Sequence, residues 1–396
     1  MPISSQSIPY YSSGILKMDS SAGVNVLQLG GAGNNIGLAA NNFAQGVTGT
    51  NNFAAGFYAM GFAVVSGSYN QAIGFEAGVN FSSTSFQVAI GGYSLAAISS
   101  SAYQHVGIGW QALMALTNAA LPNLAIGHGA GKKITDGGSN IILGYGALTN
   151  SLHAGLCVAI GKDALGSYAD GDTSGYNCNS IAIGVATLYN NTTGYENVAI
   201  GTSTLGVCTS GTWNTGCGIQ AMQSLTTGNY CSAFGLSALN LVTTGSGNTG
   251  VGQNAGVAFM GTPSTTIAGL GQSGAGANTT GNWNTYLGSF TSNLTATQRN
   301  WQTIIGCNAQ GVDRDASVTL GRIGTDVVFA GLAMIGLKDA TGAIYTVAQL
   351  PAASAALKAA RTQVSDAMAP TFMGAASGGG STLAPVMCNG SAWIYA

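Results

Sequence analysis

Large apolar, tiny and polar residues follow one another in a fixed order that returns every 17 or 18 positions along most of the chain. Three consecutive 17-residue segments show the register: NVAIGTSTLGVCTSGTW from Asn197, NTGCGIQAMQSLTTGNY from Asn214 and CSAFGLSALNLVTTGSG from Cys231. With the glycine of the A-I-G core as anchor, the repeat runs through Gly37, Gly56, Gly74, Gly91, Gly109, Gly127, Gly144, Gly161, Gly184, Gly201, Gly218, Gly235, Gly252, Gly271, Gly288, Gly306 and Gly321. The step from Gly161 to Gly184 is 23 residues, and the last step is short. A fixed period of this kind marks a stacked repeat architecture.

The columns of the repeat predict short strands. One place before the anchor stand large apolar residues such as Ile73, Ile90, Ile108, Ile126, Ile160, Ile183 and Ile200. Two before it, Ala72, Ala89, Ala125, Ala159, Ala182, Ala199, Gly216 and Ala233 are nearly all tiny, and three before it Val88, Val106, Leu124 and Val198 are large again. Alternation over three residues is the period of a strand. About sixteen coils, stacked at about 4.8 Å, would build a rod of roughly 75–80 Å. The expectation is that the isoleucine column lines the inside of each coil, and that the tiny column faces outward, where another chain approaches closely.

After the anchor, G-x-x-A-L recurs at Ala112-Leu113, Ala147-Leu148, Ala164-Leu165 and Ala238-Leu239. Thr-Thr-Gly turns follow, ending at Gly194, Gly228, Gly245 and Gly281, where glycine would supply a positive φ. Four before the anchor, Asn123, Asn140, Asn197, Asn214, Asn248 and Asn284 mark a second corner. Stacked asparagines there would adopt left-handed backbone and bond to the coils above and below.

Composition narrows the classes. Only 6% of the 396 residues are charged, whereas 46% are hydrophobic, and the net charge is −2. Disordered chains have the opposite balance, and so bare a surface fits burial against copies of itself. No Lys or Arg lies between Lys162 and Arg299, so a phosphate-neutralising footprint for nucleic acid is missing. The longest apolar run, Val327 to Leu337, is about half a bilayer span, and the opening residues lack the pattern of a secretory leader. Membrane insertion is therefore not expected. The seven cysteines show no zinc spacing and no framework, and read as mostly reduced core thiols.

The repeat N-x-AIG-x-x-AL…TTG resembles coils of phage tail-fibre and virion appendage proteins, and the "AIG" β-rolls of trimeric adhesin heads. IYTVAQLP from Ile344, Val364 to Ala367, Pro370-Thr371-Phe372, Gly378 to Gly380 and VMCNGSAW from Val386 resemble the closing module of phage tail fibres. The resemblance implies an all-β solenoid assembled as a parallel homotrimer. It also implies a virion structural protein that mediates attachment to a host surface glycan or protein. A polysaccharide-degrading tailspike and a bacterial adhesin head are the alternatives. The expected organisation is an attachment segment over 1–33 that docks on a virion tail or capsid protein, a coil array over 34–325, and a capping domain over 326–396. In that domain Val327 to Phe329 and Ile344 to Val347 read as strands, Ala352 to Arg361 as a short helix, and Asn389-Gly390 as a type I′ hairpin turn.

Candidate sites are few. Phe75, Trp110, His128 and Tyr145 follow successive anchors and form an aromatic stripe, suited either to sugar rings or to packing between chains. The 23-residue step predicts a receptor-contacting loop with Tyr168, Asp170, Asp172 and Tyr176, whose two carboxylates fall short of a calcium loop. Trp393 and Tyr395 lie at the tip. The scattered acids form no glycosidase pair, and His105, His128 and His153 have no nucleophile elbow nearby. Neither a catalytic centre nor a cofactor or metal is expected.

Overall fold

The computed structural model describes residues 10–12, 15–19, 25–29, 33–39, 41–43, 45–99, 104–117, 121–169, 178–256, 267–271, 284–293, 303–311, 318–320, 361–367, 382–388 and 393–395. The chain divides into two compact units, Met1–Thr325 and Asp326–Ala396. Among the described residues there is no helix. In the first unit one parallel ladder runs from Ile36–Leu38 to Val318–Leu320. Pairing follows the repeat: Ala159 sits beside Ala182 and then Ala199, and Ile160 beside Ile183 and then Ile200. The fold is thus a β-solenoid with one short strand per coil. At its start Gly37 pairs with Ala54, in the tiny column, so the anchor place belongs to Ala39 at φ 129 and not to Gly37. Gly56 and Gly271 hold their places.

The facing of the strand reverses the expectation. Ala72, Ala89, Ala125, Ala159, Ala182, Ala199 and Ala233 are fully buried, whereas Ile126 is 39% and Phe234 44% exposed. The tiny column points into the coil because the opposite wall already fills it. That wall is the Ala-Leu segment, with Leu95, Leu113, Leu148, Leu165, Leu188, Leu205, Met222 and Leu239 all at zero exposure. A Cβ placed on Gly107 would stand 3.1 Å from Leu95 Cγ, and one on Gly250 2.8 Å from Leu239 Cγ. At close packing the methyl group of alanine is the most that fits opposite these leucines, and at Gly107 and Gly250 even that Cβ would crowd its neighbours; where Gly131 replaces the leucine, Ile142 reaches into the space.

The same leucines carry an unusual backbone. Leu113, Leu148, Leu165 and Leu239 have φ between 48 and 53°, a left-handed conformation that costs roughly 1 kcal/mol or more for an L-residue. Bonds to the next coil hold them there: Leu113 N–H donates to Ala130 O at 3.0 Å and Leu148 N–H to Ala164 O at 2.9 Å. The anchor glycines have φ near 130° and stack backbone on backbone; a Cβ on Gly144 would enter the carbonyl of Gly161. Gly194 and Gly228 of the Thr-Thr-Gly turns, in contrast, do not have positive φ. Glycine is required there because the carbonyls of Gly211 and Gly245 in the next coil leave no space for a side chain.

A buried polar ladder closes the coil. Asn214 accepts from the backbone N–H of Cys231 at 2.9 Å through Oδ1, and donates through Nδ2 to Gly228 O at 2.8 Å. Asn52, Asn70, Asn140 and Asn197 repeat both bonds. The left-handed residue is the one before the asparagine (Tyr69, Ser139, Glu196, Trp213), so the asparagine itself keeps ordinary φ. His105 takes the same place: Asn123 N–H donates to its Nδ1 at 3.2 Å, and burial lowers its pKa to about 4.

Before the ladder, Tyr10–Ser12, Ile15–Asp19 and Asn25–Leu29 form an antiparallel meander whose last strand pairs with Ile36–Leu38. In the second unit Arg361–Ala367, Thr382–Cys388 and Trp393–Tyr395 make a three-stranded antiparallel sheet. Arg361 begins a strand and does not end a helix. Cys388 pairs with Trp393, leaving four residues in the connection where a type I′ turn at Asn389-Gly390 has two. The strands expected at Val327 to Phe329 and Ile344 to Val347, and the rest of the expected helix, lie outside the described residues.

Gly144→Ala should lower the unfolding free energy by about 3 kcal/mol or more. Gly129→Ala, at φ 67 with nothing within 4 Å of the new Cβ, should cost only about 1 kcal/mol. Urea denaturation of the two variants checks the contrast. His105 is neutral in the fold, and its pKa lies below the unfolded value of 6.5, so its contribution is complete above pH 6.5. It is lost as pH falls towards 4, a change of about 3 kcal/mol. Melting curves across this window should show the loss, and His105→Asn should remove it.

Candidate functional site

The residue after each anchor stands outside the coil, and the stacking of coils brings these side chains into line. Phe57 and Phe75 stack at 6.0 Å between ring centroids with 13° between planes. Tyr93 then turns across both neighbours, at 69° to Phe75 and 82° to Trp110, each 5.3 Å away. Further on, His128 and Tyr145 stack at 5.0 Å and 15°, and Lys162 Nζ lies 5.9 Å from the Tyr145 ring centre. All four residues expected in the stripe are exposed, Trp110 at 46% and Tyr145 at 56%. Phe57 and Tyr93 complete the row. Tyr93 is one place later than the pattern because Gly92 occupies the position after the anchor.

This geometry changes what the stripe offers. Rings that stack on one another along the coil axis spend their faces on each other and leave fewer faces for a sugar ring. At Tyr145, one face meets His128 and the cation of Lys162 lies over the ring.

Beside these two rings lies a shallow hollow of about 250 Å³, lined among others by Gln111, His128, Lys132, Tyr145, Asn150 and Asp163. Lys162 pairs with Asp163, whose hydrogen bond and charge hold the ammonium above its ordinary pKa. Lys133 donates to Asn150 Oδ1 at 2.9 Å. Lys132 has no side-chain acceptor among the described residues. His153 pairs with Asp136.

A second aromatic run lies at the corner before the polar ladder, with Trp213 and Tyr230 in the left-handed place and Tyr195 one residue earlier in its coil. Tyr195 meets Trp213 edge-on at 5.2 Å, and Trp213 stacks on Tyr230 at 4.9 Å and 6°. The Trp213 indole N–H donates to Glu196. Tyr69 and Phe86 stack likewise, at 5.0 Å and 3°. Column alignment one place further back from the asparagines would have found these rings.

The loop of the 23-residue step departs from expectation. Tyr168 is buried at 4% exposure and is a core residue, not a receptor contact. Asp170, Asp172 and Tyr176 lie outside the described residues. Cys157 and Cys178, expected as thiols, form a disulfide across this segment. Their Cα atoms lie 5.8 Å apart, within bonding geometry, although Cys178 stands two residues before the register partner of Cys157. Cys208 and Cys231 are free and buried, and desolvation raises the Cys208 pKa to about 11. Trp393 and Tyr395 belong to the last strand of the second unit. No cluster of three or more metal-ligating side chains occurs among the described residues.

The third surface feature is the outer face of the ladder. From Ile36 to Val251 no outward strand position carries a charge, and Ile73, Ile126, Ile141, Ile200, Phe234 and Val251 are exposed there. Compared with protein-family models, curated proteins and solved structures, the chain matches none.

Native-state alkylation should sort the thiols. Cys217 and Cys307 are exposed, and peptide mapping should find them modified first in the single chain. Cys208 should react only on unfolding, since the thiolate is the reacting form.

Proposed function

We propose that this chain is a structural fibre segment of a virion appendage, a phage tail fibre or its relative, that assembles as a parallel homotrimer and attaches the particle to a host surface. The observation that carries the reading is the uncharged outer face of the ladder. Soluble monomers rarely expose contiguous apolar patches beyond a few hundred Å², and here the apolar row returns at every coil. Identical columns in register let copies of the chain pack along their whole ladders, each isoleucine row facing another. A trimer is the assembly that the resemblance to adhesin-head and tail-fibre coils implies. Attachment would fall to the groups left outside that interface, the aromatic rows among them, with a host glycan or protein as receptor. The N-terminal segment would meet the virion tail or capsid protein. No reaction is assigned to the chain.

Sedimentation velocity should give three times 39.4 kDa, and Ile141→Glu should shift the protein to monomer. In the trimer Cys217, on the outer ladder face, should resist alkylation while Cys307 reacts. A monomer at micromolar concentration, or equal labelling of the two, overturns the assembly. Adsorption of purified protein to host cells tests attachment, and release of reducing ends from host polysaccharide would favour the tailspike reading instead.

A further inference from the structure

We propose that the hollow beside His128 and Tyr145 binds an acidic saccharide, with Lys132 as the group that receives its carboxylate. This rests on the attachment reading above and names the class of ligand. The first observation is where the charges fall. Between residues 34 and 298 the chain has three Lys or Arg residues, Lys132, Lys133 and Lys162, and all three lie within the coils anchored at Gly127, Gly144 and Gly161. Solubility alone would not gather every cation of a 265-residue stretch onto three neighbouring coils.

The second observation is how they are held. Lys162 is tied to Asp163 and Lys133 to Asn150, while Lys132, on the hollow's wall and half-buried, has no acceptor among the described residues. A partly desolvated ammonium without a partner favours an anion. The third is the orientation of the rings. His128 and Tyr145 stack on each other and Lys162 lies over the Tyr145 ring, so the faces that the apolar side of a neutral sugar would use are already engaged. Gln111, Asn150 and Asp163 supply donors and acceptors for hydroxyl groups around the same hollow. Its volume is below that of usual drug-sized sites, and matches one sugar unit at a time. A repeating polymer would gain by engaging the same hollow on each copy of the chain.

The test uses the full chain and calorimetric titration with a tetramer of galacturonate, its fully methyl-esterified form, an oligosialate and inorganic phosphate. Binding of either acid, weakening with added salt, and no binding of the ester are expected. Lys132→Met should lower affinity at least about tenfold with an unchanged circular dichroism spectrum, and Ser210→Ala, exposed and outside both the hollow and the aromatic rows, should leave it as it is. Equal binding of ester and acid overturns the charge requirement and leaves the glycan reading standing. Displacement by millimolar phosphate, or an unaffected Lys132→Met, overturns the assigned site. If neither acid binds, the inference fails, and adsorption of the same preparation to cells shows separately whether attachment stands.

Discussion

Everything in the solenoid depends on how closely one coil lies on the next. Parallel pairing brings backbone to backbone at every turn, and each corner must satisfy its polar groups without water. The asparagine column does this at one corner, joining a backbone N–H and a carbonyl of the following coil through a single side chain. Glycine does the complementary task at the others, by being absent where a carbonyl needs to pass. Both devices work only when the same residue type returns at the same phase, and this is why the period is so strictly kept. Where the asparagine is replaced, the substitute is another acceptor that reaches the same N–H, such as His105 or Ser180.

That closeness also decides which columns are inside. A coil of 17 residues has a narrow lumen. The leucine of G-x-x-A-L takes the place facing the strand, and a second buried apolar residue such as Ile98, Leu116, Leu225 or Val242 follows it in several coils. The strand opposite carries alanine or glycine in most coils, with Ile142, Tyr286 and Ile304 as buried exceptions. The isoleucines, displaced from the lumen, gather on the outer face, where a single chain cannot bury them. Burial of this outer apolar row is thus left to assembly, and the trimer proposed above is where it would be completed.

Much of this was legible in the sequence. The period, the strand positions, the polar corner and the aromatic stripe could all be read from columns, because a stacked fold converts phase directly into neighbourhood. Facing could not. Alternation says that Ala159 and Ile160 point opposite ways and leaves open which way is in, and the usual preference for large residues inside gave the wrong answer. The leucine at Leu165 held the missing information, since a second large column within one coil competes for the same space. Turn glycines misled for a similar reason: a positive φ and a close carbonyl select the same residue, and Gly194 belongs to the second class. The pairing of Cys157 with Cys178 was hidden by the 23-residue step, which separates them in sequence while the coils hold them together.

The antiparallel meander over Tyr10–Leu29 gives the molecule a polarity. A parallel ladder ending in free N–H and C=O groups is a template, and any chain with the same period could add to it without limit. Reversing the strand direction at Asn25–Leu29 removes that template, since the edge then seen by a newcomer no longer continues the coil. In the assembly proposed above, copies of this protein would then meet side by side rather than head to tail through this end.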